Sequence, residues 1–426
     1  MQVTSPSFTT QTHGTGKFSR LEKWLLPLVF RGVGPVPMRL RLGDGESIAP
    51  PSVVPRFTVQ IRDLRTLAEV VLDPEIGFGD GWTEGRIQVT GDLVAFLEAV
   101  YESMESAARG PSWYGRLVSK SIAFRQANTL EGSRKNIHSH YDIGNDFYRL
   151  WLDSQMVYTC AYFPAESATL EDAQIAKMDM VCRKLRLQPG ETVVEAGCGW
   201  GALALHMARN YGVRVRAFNV SHEQILYARE RARQENLTGQ VEFVEDDYRN
   251  ASGQADVFVS VGMLEHVDPK NYAGFGSVIH RVIGDCGRGF LHFIGRSQQG
   301  DFSRWIRKRI FPGAHAPSLR EALEVLEPFG YFVQDVENLR PHYAKTLEYW
   351  LDRFDKASSQ ISTRYGAEFE RAWRLYLAGS IAGFRTGTLQ LFQIVFSGAK
   401  ASSLPWTRAD LYREPQESCE WTPATY

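Results

Sequence analysis

At about 150 residues per domain, a chain of 426 residues has room for two to three domains. Hydrophobic residues make up 43% and charged residues 23%, ordinary globular usage that excludes a disordered or fibrous chain. Lys plus Arg number 48 and Asp plus Glu 49, a net charge of −1, so no nucleic acid is expected as a partner and any basic surface is local. Residues 1–15, rich in Ser, Thr and Gly, read as a frayed terminus. The start lacks the apolar core of a leader peptide, and the apolar run 24–30 is shorter than the span of about 20 residues that a bilayer requires. A soluble, cytoplasmic chain is therefore expected. From residue 18 to 101 the pattern is that of a small α+β unit: Met38–Leu42 and 56–61 alternate like strands, and Leu64–Leu72 and 92–104 carry helical spacing. The glycines of 77–82 predict a tight turn between those two helices.

Residues 107–137 form a linker of distinct composition. Arg109, Arg116, Lys120, Arg125, Arg134 and Lys135 face the single acid Glu131, with Trp113, Tyr114 and Phe124 interleaved. A solvated connector fits this composition, and so does a segment lying against anionic headgroups. From 136 to 398, short apolar or β-branched runs at 193–196, 214–218, 241–244, 256–261 and 289–294 alternate with helical segments. That order predicts a parallel sheet covered by helices on both faces. The expected division is 1–106, a linker at 107–135, 136–398, and a tail at 399–426. The five cysteines, Cys160, Cys182, Cys198, Cys286 and Cys419, are odd in number and form no CxxC pair. Reduced thiols are expected, with no disulfide framework and no metal site.

The strongest local signal is Val193-Val194-Glu195-Ala196-Gly197-Cys198-Gly199-Trp200-Gly201. An apolar strand ends in an acid, and a glycine turn leads into a helix expected over Ala202–Tyr211. Glycines let the backbone turn sharply and approach a ligand closely. Their alternate spacing is not the phosphate-binding GxGxxG; it resembles the cofactor turn of S-adenosyl-L-methionine-dependent methyltransferases. Polar residues past the next two strands, Asn219 with Gln224 and then Asp247 with Tyr248, fall where such sheets bind ligands. They would face the ribose hydroxyls and the adenine.

Four further segments accompany this turn. Asn136-Ile-His138-Ser-His140-Tyr141-Asp142-Ile-Gly144-Asn145-Asp146-Phe147-Tyr148 is followed by Met156-Val157-Tyr158-Thr159-Cys160-Ala161-Tyr162-Phe163. Ser260-Val-Gly262-Met-Leu-Glu265-His266 closes the fourth strand, and Phe290-Leu-His292-Phe293-Ile294-Gly295 closes the fifth. Arg340-Pro-His342-Tyr343 opens a helical C-terminal section. Together they closely resemble the cyclopropane-fatty-acyl-phospholipid synthase family, relatives of the mycolic acid cyclopropane synthases, over residues 135–398. The resemblance implies an α/β fold of the Rossmann-like class I methyltransferase type. Its sheet is mostly parallel and seven-stranded, preceded by a small N-terminal α+β domain of lipid-binding type. It implies transfer of a methylene group from S-adenosylmethionine to a cis double bond of a phospholipid acyl chain, with bound bicarbonate as the base. Bicarbonate ligation falls on Cys160 and Ile294, through their backbones, and on Glu265, His292 and Tyr343. Cofactor contacts fall on Tyr158, Thr159, Glu195, Gly197, Gly199, Gly201, Asn219, Val220, Gln224, Asp247 and Tyr248. Ser380 stands where some members have cysteine, Phe293 where threonine is common, and Asn219 where many have threonine.

The chemistry fits these groups. An alkene is a poor nucleophile and a sulfonium methyl a good electrophile, so the enzyme must hold them in line. The resulting positive charge would be met by aromatic faces such as Tyr162, Phe163 and Tyr343. A base must then remove a proton from the added methyl, and Glu265 and His292, at neighbouring strand ends, can converge on one small anion. Cys160 has no base beside it in sequence and is not read as a nucleophile. Proton loss elsewhere would give a methylene- or methyl-branched chain instead of a ring. A lipid-binding protein without activity would be expected to lose Glu265 or the glycine turn, and the C-terminal helical section speaks against a small-molecule methyltransferase. For access to lipid, Phe302, Trp305, Ile306 and Ile310 fall on one helical face with Arg304, Arg307 and Lys308 around it, the pattern of an interfacial helix. Peripheral contact with the inner, anionic membrane surface is thus expected, and a homodimer is compatible with the sequence.

Overall fold

The computed structural model describes residues 9–11, 20–45, 47–50, 53–109, 143–297, 302–401 and 406–411. Residues 110–142 lie outside that set, and with them most of the basic linker and the motif residues His138, His140, Tyr141 and Asp142.

Alternation of burial builds the first sheet. Its strands are β1 (Thr9–Gln11), β2 (Met38–Leu42), β3 (Ser47–Ala49), β4 (Phe57–Ile61) and β5 (Ile87–Thr90), in the order β1-β3-β2-β4-β5. In β2 and β4 every second residue is buried, so Met38, Leu40, Phe57, Val59 and Ile61 share one face against helices. Those helices are α1 (Arg20–Val33), α2 (Leu64–Leu72), α3 (Pro74–Thr83) and α4 (Leu93–Arg109). Asp63 caps α2, its carboxylate accepting from the Thr66 amide at 2.8 Å.

Helix α3 overturns the expected turn at 77–82. Asp73 caps it and Pro74 stands in its first turn, both helix-start signals. Its glycines serve packing. A Cβ on Gly77 would stand 2.6 Å from the backbone of Glu69 and Val70, and one on Gly79 would stand 2.3 Å from the Trp305 ring. Glycine costs a helix about 1 kcal/mol relative to alanine, a cost offset here by close approach. Gly79→Leu should therefore lower stability by about 1–3 kcal/mol through overpacking. Thermal unfolding would show it, and an unchanged melting temperature would mean that Trp305 does not seat on α3.

The second sheet holds β6 (Thr192–Ala196), β7 (Arg214–Asn219), β8 (Val241–Glu245), β9 (Val257–Val261), β10 (Arg288–Gly295), β11 (Phe332–Asn338) and β12 (Gln390–Ser397). Their order is β11-β12-β10-β9-β6-β7-β8, with β6 to β10 mutually parallel and β12 antiparallel to both its neighbours. Neighbouring residues of β6 go to opposite cores. Val193 packs with α5 (Leu170–Leu185), α6 (Ala202–Tyr211) and α7 (His222–Gln234), whereas Val194 packs with α8 (Tyr272–Ile283). A sheet covered on both faces is what makes its strands read as continuous apolar runs. Before β12 comes a helical hairpin, α10 (Arg340–Tyr365) and α11 (Ala367–Thr386).

The segment expected to lie in a membrane surface is instead a seam with the N-terminal sheet's helices. Its helix, α9 (Arg304–Arg309), has six residues, and Trp305 and Ile310 are buried. Arg304 pairs with Asp73 at 2.6 Å, and Lys308 and Arg309 pair with Asp80 at 2.6 and 2.9 Å. The apolar stripe covers α3, and its basic rim meets the acids of the same helix. Nearby, Trp82 Nε1 donates to the Arg371 carbonyl at 3.0 Å and Arg371 Nε donates to the Thr83 carbonyl at 2.8 Å, tying α3 to α11. No helix among the described residues is long and apolar enough to cross a membrane.

Candidate active site

Strand β6 ends in Glu195 and Ala196, and the chain then folds back on the end of β7. The amides of Gly197 and Cys198 both donate to the Phe218 carbonyl, at 2.9 and 3.1 Å. Gly199 has φ +53°, a conformation that favours glycine, and a Cβ there would project into open space. Asn219, at the end of β7, donates to the Gly199 carbonyl at 3.2 Å and to Gln224 Oε1 at 2.7 Å. It locks the glycine turn to the first turn of α7.

These elements surround one open cavity of about 1320 Å³, counting the part that opens to solvent. Tyr158, Thr159, Glu195, Gly197, Gly199, Asn219, Val220, Gln224, Asp247 and Tyr248 all line it. Gly201 does not. It opens α6 in the left-handed conformation, and a Cβ there would stand 2.5 Å from Phe243 and 2.9 Å from Ala228. Its role is helix packing. Asp247 is buried, and its carboxylate accepts from Arg249 Nε at 2.8 Å and Nη2 at 3.0 Å.

The sequence reading missed Lys177, which lines the same cavity from α5. Its ammonium is buried and donates to Thr159 Oγ1 at 3.0 Å. Burial pushes it down to about 8, against the pull of Asp153, Cys160 and Glu195. Burial likewise pushes Glu195 up to about 8, with Lys177 opposing, and Glu195 Oε2 has no hydrogen-bond partner among the described residues. A lysine at a helix position carries no sequence mark of this kind, because its partners come from three other segments. Trp200, Met263 and His266, members of the quoted motifs with no role assigned above, also line the cavity, as does Pro312.

Of the expected anion ligands, a hydrogen bond joins two, Glu265 and Ile294, and none of the five lines the cavity. Glu265 lies in the short turn Leu264–His266 after β9, and its Oε1 accepts from the Ile294 amide on β10 at 2.6 Å. His292 precedes Ile294 by two residues and therefore faces the same side of β10. Glu265 Oε2 and His292 Nε2 are both buried and have no hydrogen-bond partner among the described residues. Burial pushes the Glu265 carboxyl up to about 7, with the Ile294 amide working the other way. Burial, reinforced by Lys177 and Lys184, holds His292 well below its ordinary value and keeps it neutral. The segment of Cys160 is tied to the helix of Tyr343: the Ala161 amide donates to Thr346 Oγ1 on α10 at 3.0 Å, one turn beyond Tyr343. The Cys160 thiol is raised far above its ordinary value by burial and donates to the Ala161 carbonyl, so it is inert. Lys177, on the cavity wall, acts electrostatically on Cys160, Glu195 and His292.

Two of the aromatic faces expected to meet a cation are already occupied. Tyr162 stacks on His342 at 4.8 Å, and the Phe163 ring carries Lys345 at 4.7 Å. Tyr343 packs against Phe384 at 4.6 Å and Trp350 at 6.0 Å, within a cluster that runs through Trp151 to Tyr158 at the cavity.

The pattern of the mycolic acid cyclopropane synthetase family matches residues 128–394. The chain is 33% identical over 390 residues to a probable fatty acid methyltransferase of Pseudomonas putida, covering 89% of this chain and 97% of that one. It is 41% identical over 260 residues to the cyclopropane-fatty-acyl-phospholipid synthase of Escherichia coli, covering 61% of this chain and 66% of that enzyme. Among solved structures, a mycolic acid cyclopropane synthase complexed with SAH and CTAB aligns with a TM-score of 0.59 and 31% identity, covering 62% of this chain and 97% of that one. With the seven-stranded class I sheet, the glycine turn and the cavity in place, the chain belongs to the mycolic acid cyclopropane synthetase family and is an S-adenosylmethionine-dependent methyltransferase of the cyclopropane-fatty-acyl-phospholipid synthase type.

Proposed function

We propose that the protein converts cis double bonds of unsaturated phospholipid acyl chains into cyclopropane rings, with bicarbonate held between Glu265 and His292. The observation that carries this reading is a pair of buried side-chain atoms at the ends of adjacent strands, Glu265 Oε2 after β9 and His292 Nε2 on β10, that have no hydrogen-bond partner among the described residues. A buried polar atom without a partner costs about 1–3 kcal/mol, so two at the ends of adjacent strands favour a small polar ligand. A carboxylate oxygen accepts and an imidazole N–H donates, a set that suits an anion carrying one hydroxyl. When bound, S-adenosylmethionine supplies an electrophilic methyl to the alkene and bicarbonate supplies the base for the proton that the added methyl must lose.

The chain's own residues provide position and exclusion. Gly199 and Asn219 shape the cofactor turn, and Lys177 fixes Thr159 at the cavity wall. Trp151, Tyr158 and Trp350 keep water from the developing charge. Use of a membrane substrate calls for peripheral contact with an anionic surface, and the linker 107–135 has the composition for it. A second reading, a methylene- or methyl-branched product, is favoured by the similarity to a probable fatty acid methyltransferase along most of the chain. Incubation with unsaturated phospholipid vesicles and S-adenosylmethionine decides between them. Mass spectrometry should show a gain of one CH₂ and proton NMR the upfield ring signals; olefinic methylene signals would establish the branched product, and no mass gain would sink both.

A further inference from the structure

Behind His292 runs a chain of buried side chains that the reaction does not touch. Lys184, on α5, donates from Nζ to Gln393 Oε1 at 2.7 Å, and Gln393 Nε2 lies 3.1 Å from His292 Nδ1. Gln393 is fully buried on β12, directly across from His292 in the antiparallel register with β10. Lys184 is itself held by Glu337 on β11 and lies 3.7 Å from Asp335.

Donor and acceptor rules leave this chain only one consistent state. A lysine ammonium has donors and no acceptor, so the Gln393 atom facing it must be the carbonyl oxygen. The amide nitrogen then faces His292, and because an NH₂ group only donates, Nδ1 must accept. A histidine that accepts at Nδ1 and is neutral carries its proton on Nε2. Nε2 is buried and has no hydrogen-bond partner among the described residues.

We propose that Lys184 and Gln393 are positioning residues that hold His292 as the neutral tautomer with its proton on Nε2, presenting a fixed hydrogen-bond donor to the bound oxyanion. This rests on the bicarbonate reading for the identity of the acceptor, but the tautomer follows from the side chains alone. A division of labour comes with it. His292 has no free lone pair towards the site, so it orients the anion and takes no proton, while Glu265 supplies the accepting oxygen.

The test is nitrogen NMR of the full-length protein labelled with ¹⁵N-histidine, with His292 assigned by the signal lost in His292→Asn. The wild type should show a protonated-type Nε2 and an unprotonated-type Nδ1. Gln393→Glu sets a carboxylate against Nδ1 and should draw a proton onto it. Lys184→Met frees the Gln393 amide to turn and should mix the two tautomers. Turnover should fall about 10- to 100-fold in both variants, the range that loss of an orienting partner costs a metal-ligating histidine, with cofactor affinity unchanged. A protonated Nδ1 in the wild type overturns the proposal without reference to any variant. So does full turnover in a folded variant whose tautomer has changed. Bicarbonate added to the wild type should shift the Nε2 signal; the stated tautomer with no such shift would support the relay and sink the bicarbonate reading instead.

Discussion

Gly199→Val should weaken S-adenosylmethionine binding by at least about 100-fold, or roughly 3 kcal/mol, in a protein that still folds. Two effects add. A non-glycine residue held at positive φ costs on the order of 1–3 kcal/mol, and Gly199 has φ +53°. The new side chain would also project into open space at a position lining the cofactor cavity, where nothing else stands within 4 Å. Gly190→Val separates the two effects. Gly190 has φ +88° and nothing within 4 Å of a Cβ, and it does not line the cavity. Calorimetry should find near-normal affinity in Gly190→Val and none in Gly199→Val. Equal losses in both would mean that backbone strain, not occlusion, governs the turn.

Glu265→Gln should lower turnover by about 100-fold or more, equivalent to at least about 2.7 kcal/mol of transition-state stabilisation at about 1.4 kcal/mol per tenfold, while cofactor affinity stays near wild type. Glutamine can still accept from the Ile294 amide at the Oε1 position, but it turns the unpartnered Oε2 position from an acceptor into a donor or leaves the backbone amide unpaired. Turnover like wild type would remove Glu265 from the chemistry. Stability should move the opposite way. Burial raises the folded carboxyl from 4.5 to about 7, so the folded state holds this proton more tightly than the unfolded chain. The carboxyl is therefore no burden below pH 4.5, and stability is lost as pH rises from there through about 7. At a pH of about 8 the ionised carboxylate costs the fold about 3 kcal/mol on that shift, a cost glutamine does not carry. The melting temperature of Glu265→Gln should thus rise relative to wild type between about pH 5 and about pH 8. A constant difference across that range would show that Glu265 does not ionise within it.

Much of this protein was legible in its sequence because the relevant demands are local. Strands β6, β9 and β10 are buried on both faces, so each is a short apolar run that needs no partner to be recognised. The glycine turn shows itself because only glycine meets its backbone conformation, and the polar residues after β7 and β8 announce the cavity by their place at strand ends. The proposed anion ligands Glu265, His292 and Ile294 stand in motifs that close adjacent strands.

Other features were decided by contacts between distant segments. Gly77, Gly79 and Gly81 spell a turn in isolation, and they form a helix because α2, Ile87 and Trp305 require bare backbone beside them. The stripe at 302–310 has the composition of a membrane-facing helix, and it is a seam because Asp73 and Asp80, more than 200 residues earlier, neutralise its basic rim. An amphipathic pattern states that one face must be covered without stating by what. Strands β11 and β12 were hidden because their pairing is antiparallel and joined across the α10–α11 hairpin, and β11 leaves Phe332, Val333 and Val336 exposed at the sheet edge. The tautomer of His292 lay furthest from the sequence. It depends on Gln393, 101 residues downstream, and on Lys184, 209 residues before that glutamine, and only the folded sheet brings a donor, an amide and an imidazole into one line.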